Sequence, residues 1–266
     1  MREQRVLRLL VTVRAYPEPS RSVIESSCTA GITSDQKWIR LFPLNSRSLV
    51  GSQKFHKYDW IEVNASRSRD PRPESYMPDP DSIKVVGKTE SWKERRKLIL
   101  PLAAQSIEEL REQQAKTGQS LGLIRPKNIL RLVIESSDDD EWREEQRAKL
   151  DQLSMLIAQP ATRLQKIPHK FSYEFLCDDQ RCERPHKMMA VDWEIHESWR
   201  KWSKTYGLAW EQKLRQRYEK DMISKNDTHF YVGTMFRHPN NWIIIGLFYP
   251  PTPKQTLQGA LAIADN

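Results

Sequence analysis

The sequence predicts an α+β protein with a small β-barrel at its amino terminus, a helical middle and a carboxy-terminal α+β domain with an inserted zinc loop. Three observations lead to this fold class. Short apolar runs separated by turn residues fill the first hundred positions, and apolar residues at helical spacing follow them. Two cysteines and a histidine then fall within ten residues of one another. We therefore expect three regions, at residues 1–97, 98–160 and 161–266.

The first region is predicted to contain five strands. RVLRLLVTVRAY is the first, and PEPS ends it because proline cannot donate to a β-ladder. SVIESSCTAGI and KWIRLFPL form a predicted hairpin, and YDWIEVNAS and SIKVVGKTESW supply two more strands, with DPRPESYMPDP as a long connection between them. Five short strands with turns between them favour a small barrel, OB-like or PUA-like. Half of a β-sandwich is the alternative.

The middle region is predicted to hold two helices. The first contains SIEELREQQAKTG, where Ser106 is a plausible N-cap, Glu109 completes a capping box and Gly118 ends the helix. A turn and a strand follow, and an acidic run at 138–141 opens a second helix that Pro160 stops. We interpret both helices as structural, or as a surface at residues 104–158 for a protein partner or for self-association.

Charge is unevenly distributed along the 266 residues, whose net charge is +8. Residues 1–97 carry 19 lysines and arginines against 12 acids, and residues 161–266 carry 16 against 12. Residues 98–160 are acidic, with 8 against 11. Two basic regions flanking an acidic middle predict a polyanionic partner, which is DNA or RNA.

The surroundings of the protein are predicted from two absences. No apolar run approaches the roughly 20 residues that span a bilayer, so no membrane partner is expected. Three scattered cysteines are too few for a disulfide framework, which favours the reducing cytoplasm.

Aromatic and basic residues alternate in the predicted barrel, and more basic residues lie on the carboxy-terminal helix. Small barrels bind nucleic acids by stacking bases on aromatic rings while cations follow the phosphates. The candidates for such contacts are Arg40, Arg47, Arg67, Arg69, Arg72, Tyr76, Arg200 and Lys204.

The stretch FSYEFLCDDQRCERPHKMM contains ligands that suit zinc. Cys177, Cys182 and His186 lie on a short loop between two predicted strands, where thiolates and an imidazole can converge on one tetrahedral ion. The fourth ligand must come from elsewhere. His169 is our first candidate, and His196, Cys28 and Asp179 are the others. A structural role is favoured, although three local ligands also leave room for a catalytic water.

Two acidic residues follow the zinc loop. If MMAVDWEIH is a strand, period-2 alternation puts Asp192 and Glu194 on one face. Together they could hold Mg²⁺ for phosphodiester cleavage, with Lys187 nearby to stabilise charge. His196 stands where restriction-type nucleases carry a lysine, which weakens this hypothesis.

We therefore expect a nucleic-acid-binding protein that uses basic and aromatic surfaces and carries a zinc-stabilised loop. One alternative is a metal-dependent nuclease centred on Asp192 and Glu194. Another is an adaptor that docks a protein partner through its acidic helices.

Overall fold

A computed structural model describes residues 3–19, 25–137, 141–148, 150 and 164–252. A closed five-stranded barrel is followed by a second sheet, and helices are few. The predicted mixed α+β class and the amino-terminal barrel are therefore confirmed. No helix within the described ranges is both long enough and apolar enough to cross a membrane.

The barrel half contains seven strands and one α-helix among the described residues. These are β1 (Gln4–Arg14), β2 (Glu18–Pro19), β3 (Glu25–Ile32), β4 (Trp38–Leu44), β5 (Asp59–Arg67), β6 (Ser75–Pro78), β7 (Lys84–Lys88) and α1 (Trp92–Ile99).

The second half contains the remaining elements. These are β8 (Ala103–Ala104), α2 (Ile107–Thr117), β9 (Leu121–Ile124), β10 (Pro126–Ser136), β11 (His169–Cys177), β12 (His186–Ala190), α3 (Trp193–Tyr206), α4 (Trp210–Arg215), a π-helical segment (Gln216–Lys220), α5 (Asp221–Ser224), β13 (His229–Met235) and β14 (His238–Phe248).

Closure of the barrel depends on pairing between its first strand and a strand far along the chain. The strand order is β1-β3-β4-β6-β5, and β5 returns to β1 in an antiparallel ladder that runs from Gln4↔Ser66 to Leu10↔Trp60. Alternate residues point inward because side chains on a strand alternate between its two faces. The barrel core is formed by Leu7, Leu9, Val11, Ile39, Leu41, Leu44, Leu49, Phe55, Ile61, Val63, Ala65, Tyr76 and Ile83.

The prediction that residues 70–80 form only a connection is wrong, because this stretch contains β6. β6 pairs in parallel with β4 through Leu41↔Tyr76 and antiparallel with β5 through Ser66↔Met77. Four prolines in the stretch argue against a strand, but Pro78 is the last residue of β6, where a missing N–H is tolerated.

The second sheet has the order β10-β11-β12-β14-β13-β9-β8. The predicted hairpin near the carboxy terminus is confirmed as β13 and β14. β14 lies between β12 and β13, and this central position explains the successive apolar residues Ile243 to Ile245.

The middle region is helical only in part. α2 is confirmed, with Ser106 accepting a hydrogen bond from the Glu109 N–H and Gly118 in the left-handed conformation at its end. β9 and β10 carry the chain directly into the second sheet. Residues 144–148 are helical, but most of the second predicted helix lies outside the described residues, as do residues 138–140 of the acidic run and a smaller part of the proposed 104–158 partner surface, namely 138–140, 149 and 151–158.

The barrel packs against the second sheet, and we call this contact the domain seam. Leu10, Val13 and Ile32 of the barrel lie in one buried cluster with apolar residues of the second sheet. These partners are Leu121, Leu123, Tyr231, Ile245 and Phe248. The two halves therefore share a hydrophobic core.

Arg40 adds a polar connection to the domain seam. Its side chain is almost completely buried, and its guanidinium donates to the Ser120 hydroxyl at 3.0 Å and to the Ser120 carbonyl at 3.2 Å. Nη1 lies 3.8 Å from Glu74 Oε1, and the same carboxylate accepts from the Ser120 N–H at 3.0 Å. Barrel and second sheet thus meet around one buried ion pair.

We predict that Arg40→Ala lowers the free energy of unfolding by about 3–5 kcal/mol, because it leaves the Glu74 carboxylate buried without a cation. Urea unfolding of Arg40→Ala, Glu74→Ala and the double variant measures this. The double variant should cost clearly less than the sum of the two single variants. Additive costs would contradict the coupling, and Arg131→Ala, an exposed ion-pair arginine, serves as a control expected to cost about 1 kcal/mol or less.

Candidate functional site

The loop between β11 and β12 gathers three side chains that could hold a metal ion. Cys177 is the last residue of β11, His186 is the first of β12, and Cys182 lies in the loop. Their ligand atoms all lie within 4.8 Å of one another, and Cys182 Sγ is 3.3 Å from His186 Nε2. The sequence prediction that these three residues converge is therefore confirmed.

The loop is held in shape by hydrogen bonds to its own residues and to the start of α2. The Cys177 N–H donates to Cys182 Sγ at 3.2 Å. Asp179 accepts from the Arg181 N–H at 2.9 Å and from the Ser106 hydroxyl at 2.8 Å. The Asp178 N–H donates to the Gln105 carbonyl at 3.2 Å.

Burial controls the ionisation of the loop ligands. It raises the pKa of the Cys177 thiol to about 12. Burial also lowers the pKa of His186, which favours the neutral imidazole that metals bind. A metal ion would displace the proton from the thiol, as ligand thiolates require.

The four candidates for a further ligand are all occupied or distant. His169 begins β11 while Cys177 ends it, so about 26 Å of strand separates them. The His169 ring instead packs on the rings of Trp199 and Trp210, with centroids 5.5 and 4.8 Å away. Asp179 is engaged by Arg181 and Ser106.

The other two candidates also lie outside the loop. Cys28 belongs to β3 of the barrel. His196 is buried in α3, where its Nδ1 lies 2.7 Å from the Asp192 carbonyl oxygen and its ring stacks on Tyr16. Burial lowers the pKa of His196 to about 4, so this side chain is neutral.

The predicted strand through Asp192 and Glu194 is wrong, because β12 ends at Ala190 and α3 begins at Trp193. Asp192 is the N-cap of α3, and its carboxylate accepts from the Ile195 N–H at 3.1 Å. An Asp at the start of an amphipathic helix satisfies an otherwise unpaired backbone donor, and this preference prevails over the alternation that suggested a strand.

Glu194 faces the barrel rather than Lys187. Lys57 Nζ lies 3.0 Å from Glu194 Oε2 and donates to the Leu247 carbonyl at 2.6 Å, and the Tyr249 hydroxyl donates to the same Glu194 oxygen at 3.1 Å. Lys187 pairs with Glu135 at 2.8 Å. The three residues predicted to be catalytic therefore do not form one site.

The side chain of Lys57 stays protonated and therefore positively charged. Burial is the largest single influence and would lower the pKa of this amine, but the charges of Glu194, Tyr58, Asp192 and Tyr249 together outweigh it and raise the pKa well above its usual range. Lys57 was missed in the sequence, because nothing local to it marks a contact with residues 137 and 190 positions away.

Several arginines predicted to bind nucleic acid are instead neutralised within the protein. Arg40 is buried at the domain seam. Arg47 Nη1 lies 2.9 Å from both Glu25 carboxylate oxygens. Arg72 pairs with Asp70 and donates to the Thr234 carbonyl at 2.8 Å, and Arg200 pairs with Glu197 at 2.7 Å.

Two of the remaining barrel candidates, Arg67 and Tyr76, meet at one surface together with Arg5, and Arg69 follows Arg67 by two residues; we call these four residues the Tyr76 surface. The guanidinium carbons of Arg5 and Arg67 lie 4.5 and 5.0 Å from the centre of the Tyr76 ring. All three arginines are exposed, whereas Tyr76 is only 6% exposed and lies beneath Arg5 and Arg67.

A cavity adjoins the Tyr76 surface, and one of its lining residues was not among the sequence candidates. A cavity of about 520 Å³ next to it is lined by Glu3, Arg5, Arg67 and Ser68. Arg5 was missed in the sequence, because only the long-range β1–β5 pairing brings it beside Arg67. Lys204, the last candidate, is exposed on α3, apart from the barrel.

Two family models match the chain. One is described as "Domain of unknown function (DUF8758)" and matches residues 5–101, which comprise the barrel and α1. The other is described as "Domain of unknown function (DUF8757)" and matches residues 103–262, which contain the second sheet and its helices. No curated protein matches the chain.

The environment of Asp192 leads to a pH-dependent prediction. Burial, and then the charge of Glu194, raise the pKa of Asp192 to about 7. Because the folded-state pKa lies above the unfolded value of about 4, the folded state binds more protons between these values, and the free energy of unfolding falls as pH rises from about 4 to 7.

We therefore predict that Asp192→Asn, which keeps a side-chain acceptor for the Ile195 N–H, gains stability relative to the unsubstituted protein as pH increases from 5 to 8. Between pH 5 and 8 the change has an upper bound of roughly 3 kcal/mol, since about two of the three pKa units that separate the folded and unfolded values fall in this range. Urea unfolding across this range measures it, with Glu90→Gln as the control for loss of one exposed carboxyl. A pH-independent difference between Asp192→Asn and the unsubstituted protein would contradict the buried-carboxyl interpretation.

Proposed function

Since the chain belongs to the family described as "Domain of unknown function (DUF8757)", whose description states no activity, we propose a function from the geometry alone. The protein binds nucleic acid through the Tyr76 surface of its barrel and carries a structural zinc ion in the β11–β12 loop. The nucleic acid is DNA or RNA.

The observation that carries the nucleic-acid proposal is the pair of arginine side chains held over one aromatic ring. Contact with the Tyr76 ring limits the freedom of the Arg5 and Arg67 side chains, so less conformational entropy is lost when they bind. Arginine planes stack on unpaired bases and donate to phosphate oxygens. Arg69, exposed two residues beyond Arg67, extends the same positive surface.

The distribution of charge supports this location. The barrel region has the largest excess of positive residues in the chain. Arg40, Arg47 and Arg72 pair with acidic residues of the barrel half, whereas Arg5 and Arg67 are exposed and lie together over the Tyr76 ring, where they place positive charge at the surface. A clustered positive surface attracts a polyanion more strongly than the same charges dispersed.

Zinc is the metal that the loop side chains favour. Two thiolates and one imidazole are soft and borderline ligands, whereas Mg²⁺ and Ca²⁺ prefer oxygen. The loop joins two neighbouring strands, so an ion held there would fix the shape of the β11–β12 hairpin. This is a structural role.

The geometry gives the nuclease alternative no support. Glu194 is neutralised by Lys57, and Asp192 is buried as a helix cap, so these carboxylates do not face a shared opening where Mg²⁺ and a phosphodiester could meet. The adaptor alternative stays a prediction, because no contact of the described residues tests a protein partner at residues 104–158.

For nucleic-acid binding, we predict an affinity that falls steeply between about 50 and 200 mM salt, since counterions are released from the phosphates. Fluorescence anisotropy with labelled single-stranded DNA, single-stranded RNA and duplex DNA of about 20 nucleotides measures this. An Arg67→Ala/Arg69→Ala variant should bind more weakly and lower the salt slope by about 2, one for each phosphate contact.

The control for this experiment is Arg131→Ala, which removes the same type of charge from β10, the edge strand of the second sheet. It should leave the slope nearly unchanged. If all three probes show a flat salt response, or if the Arg67→Ala/Arg69→Ala variant behaves like the control, the Tyr76 surface is not a nucleic-acid interface.

For the metal, we predict about one zinc per chain in protein purified without chelators. Elemental analysis of Cys177→Ala and Cys182→Ser should show loss of zinc, whereas Cys28→Ser, a cysteine of the barrel, should retain it. A chelator should lower the melting temperature of the unsubstituted protein and of Cys28→Ser, but not that of Cys182→Ser. Equal zinc content in all four proteins would overturn the ligand assignment.

A further inference from the structure

A carboxylate oxygen from a different part of the chain lies beside His186, one of the three loop residues. Glu108 Oε2 lies 3.9 Å from His186 Nε2. This oxygen is buried and has no hydrogen-bond partner among the described residues. A buried carboxylate oxygen without a partner is unfavourable, because it has lost its water and gained no donor in return. A cation bound at this position would stabilise the Glu108 carboxylate.

Glu108 is placed there by α2, whose first turn lies against the loop. The Ser106 hydroxyl, at the N-cap of this helix, donates to Asp179 of the loop at 2.8 Å. The Asp178 N–H of the loop donates to the carbonyl of Gln105, the residue before this N-cap, at 3.2 Å. The start of the helix and the loop thus form one continuous contact.

The second oxygen of Glu108 has a different partner. Arg111, one turn further along α2, places its Nη1 3.6 Å from Glu108 Oε1. Arg111 therefore holds the carboxylate from the solvent side and leaves Oε2 directed at His186. This arrangement, in which an outer side chain orients a ligating carboxylate, is common around protein-bound metals.

We propose that Glu108 is the fourth ligand of the metal centre, which completes a set of two cysteines, one histidine and one glutamate. The inference rests on the zinc part of the proposed function. Tetrahedral zinc with bonds of about 2.0–2.3 Å separates its ligand atoms by roughly 3.3–3.8 Å. The observed Cys182 Sγ to His186 Nε2 distance of 3.3 Å and the His186 Nε2 to Glu108 Oε2 distance of 3.9 Å are close to this range.

Two consequences follow from four protein ligands. The centre is closed, with no position left for a catalytic water, which makes the ion structural. The ion also ties α2 to the β11–β12 hairpin, because Glu108 and Cys177 are 69 residues apart in the sequence. Metal binding therefore stabilises the tertiary contact between two segments and not only the shape of a loop.

The test compares Glu108→Gln with Glu112→Gln, which removes the same charge one turn further along α2, where the carboxylate pairs with Arg181 of the loop. Zn²⁺ affinity is measured by competition with a chromophoric chelator. Glu108→Gln should bind Zn²⁺ at least about tenfold more weakly than the unsubstituted protein. Glu112→Gln should bind it with nearly unchanged affinity.

Replacement of zinc by Co²⁺ provides a second measurement, the visible absorption spectrum of the bound ion. This spectrum would not change if Glu108 only supported the fold and did not bind the metal. The unsubstituted protein and Glu112→Gln should show the intense visible absorption of tetrahedral Co²⁺ with thiolate ligands. Glu108→Gln should keep the thiolate charge-transfer band but show altered ligand-field bands. In the presence of chelator, Glu108→Gln and the unsubstituted protein should have the same melting temperature, which excludes a folding defect.

The outcomes separate the two proposals. If the unsubstituted protein binds neither Zn²⁺ nor Co²⁺, the zinc proposal fails and Glu108 has no metal to bind. If it binds both and Glu108→Gln has the same affinity and the same Co²⁺ spectrum, zinc stands and the assignment of Glu108 is overturned.

Discussion

Charges buried between the barrel and the second sheet must be neutralised there, and this requirement governs how the two halves of the chain meet. Each of four cations from the first hundred residues finds a partner in the second half. Two of these contacts are ion pairs between the halves, whereas Arg40 and Arg72 pair with acidic residues of the barrel half and donate to neutral oxygens of the second half, so both halves are needed to satisfy these donors. The contacts are Arg40 with Ser120, Lys57 with Glu194, Arg72 with the Thr234 carbonyl and Arg96 with Asp227.

The same requirement changes how the basic composition is interpreted. A positively charged chain attracts polyanions only through the cations that remain at its surface. Arg40 and Arg72 connect the two halves, and Arg47 and Arg200 pair with neighbouring glutamates. The net charge of the chain is thus a poor guide to its binding surface.

Local sequence patterns predicted most of the helices and strands. They failed where the secondary structure depends on pairing with residues far away in the sequence. The capping box of α2, the β13–β14 hairpin and the convergence of the loop ligands depend on neighbours in sequence. β6 depends instead on pairing with β4 and β5, which local composition does not reveal and which four nearby prolines obscure.

Asp192 shows how one residue fits two patterns. Alternation with Glu194 continues a strand, whereas an Asp before Trp193 begins a helix, and both interpretations agree with the adjacent sequence. The helix prevails because Ile195 and Trp199, four residues apart, are buried in the hydrophobic core of the second half. The sequence alone could not distinguish a strand from a helix here, because the choice depends on where the second sheet lies relative to Ile195 and Trp199.

Glu108 and Arg5 illustrate why the sites were only partly predictable. Three candidate metal ligands lie within ten residues, but Glu108, beside His186, comes from a helix and precedes Cys177 by 69 positions. Arg5 reaches the Tyr76 surface only through the ladder between β1 and β5. In both cases the chemistry of the residue is visible in the sequence, but its neighbours are not.

The metal centre and the Tyr76 surface belong to different halves of the molecule, and each is built by the fold of its own half. Barrel closure brings Arg5, Arg67 and Tyr76 together, while the contact of α2 with the β11–β12 hairpin brings Glu108 to the loop. A zinc ion closed by four protein ligands has no free position for a phosphate oxygen. The proposed contact with nucleic acid at the barrel and the proposed metal binding at the hairpin are therefore separate, and we expect the loss of one to leave the other intact as long as the domain seam holds.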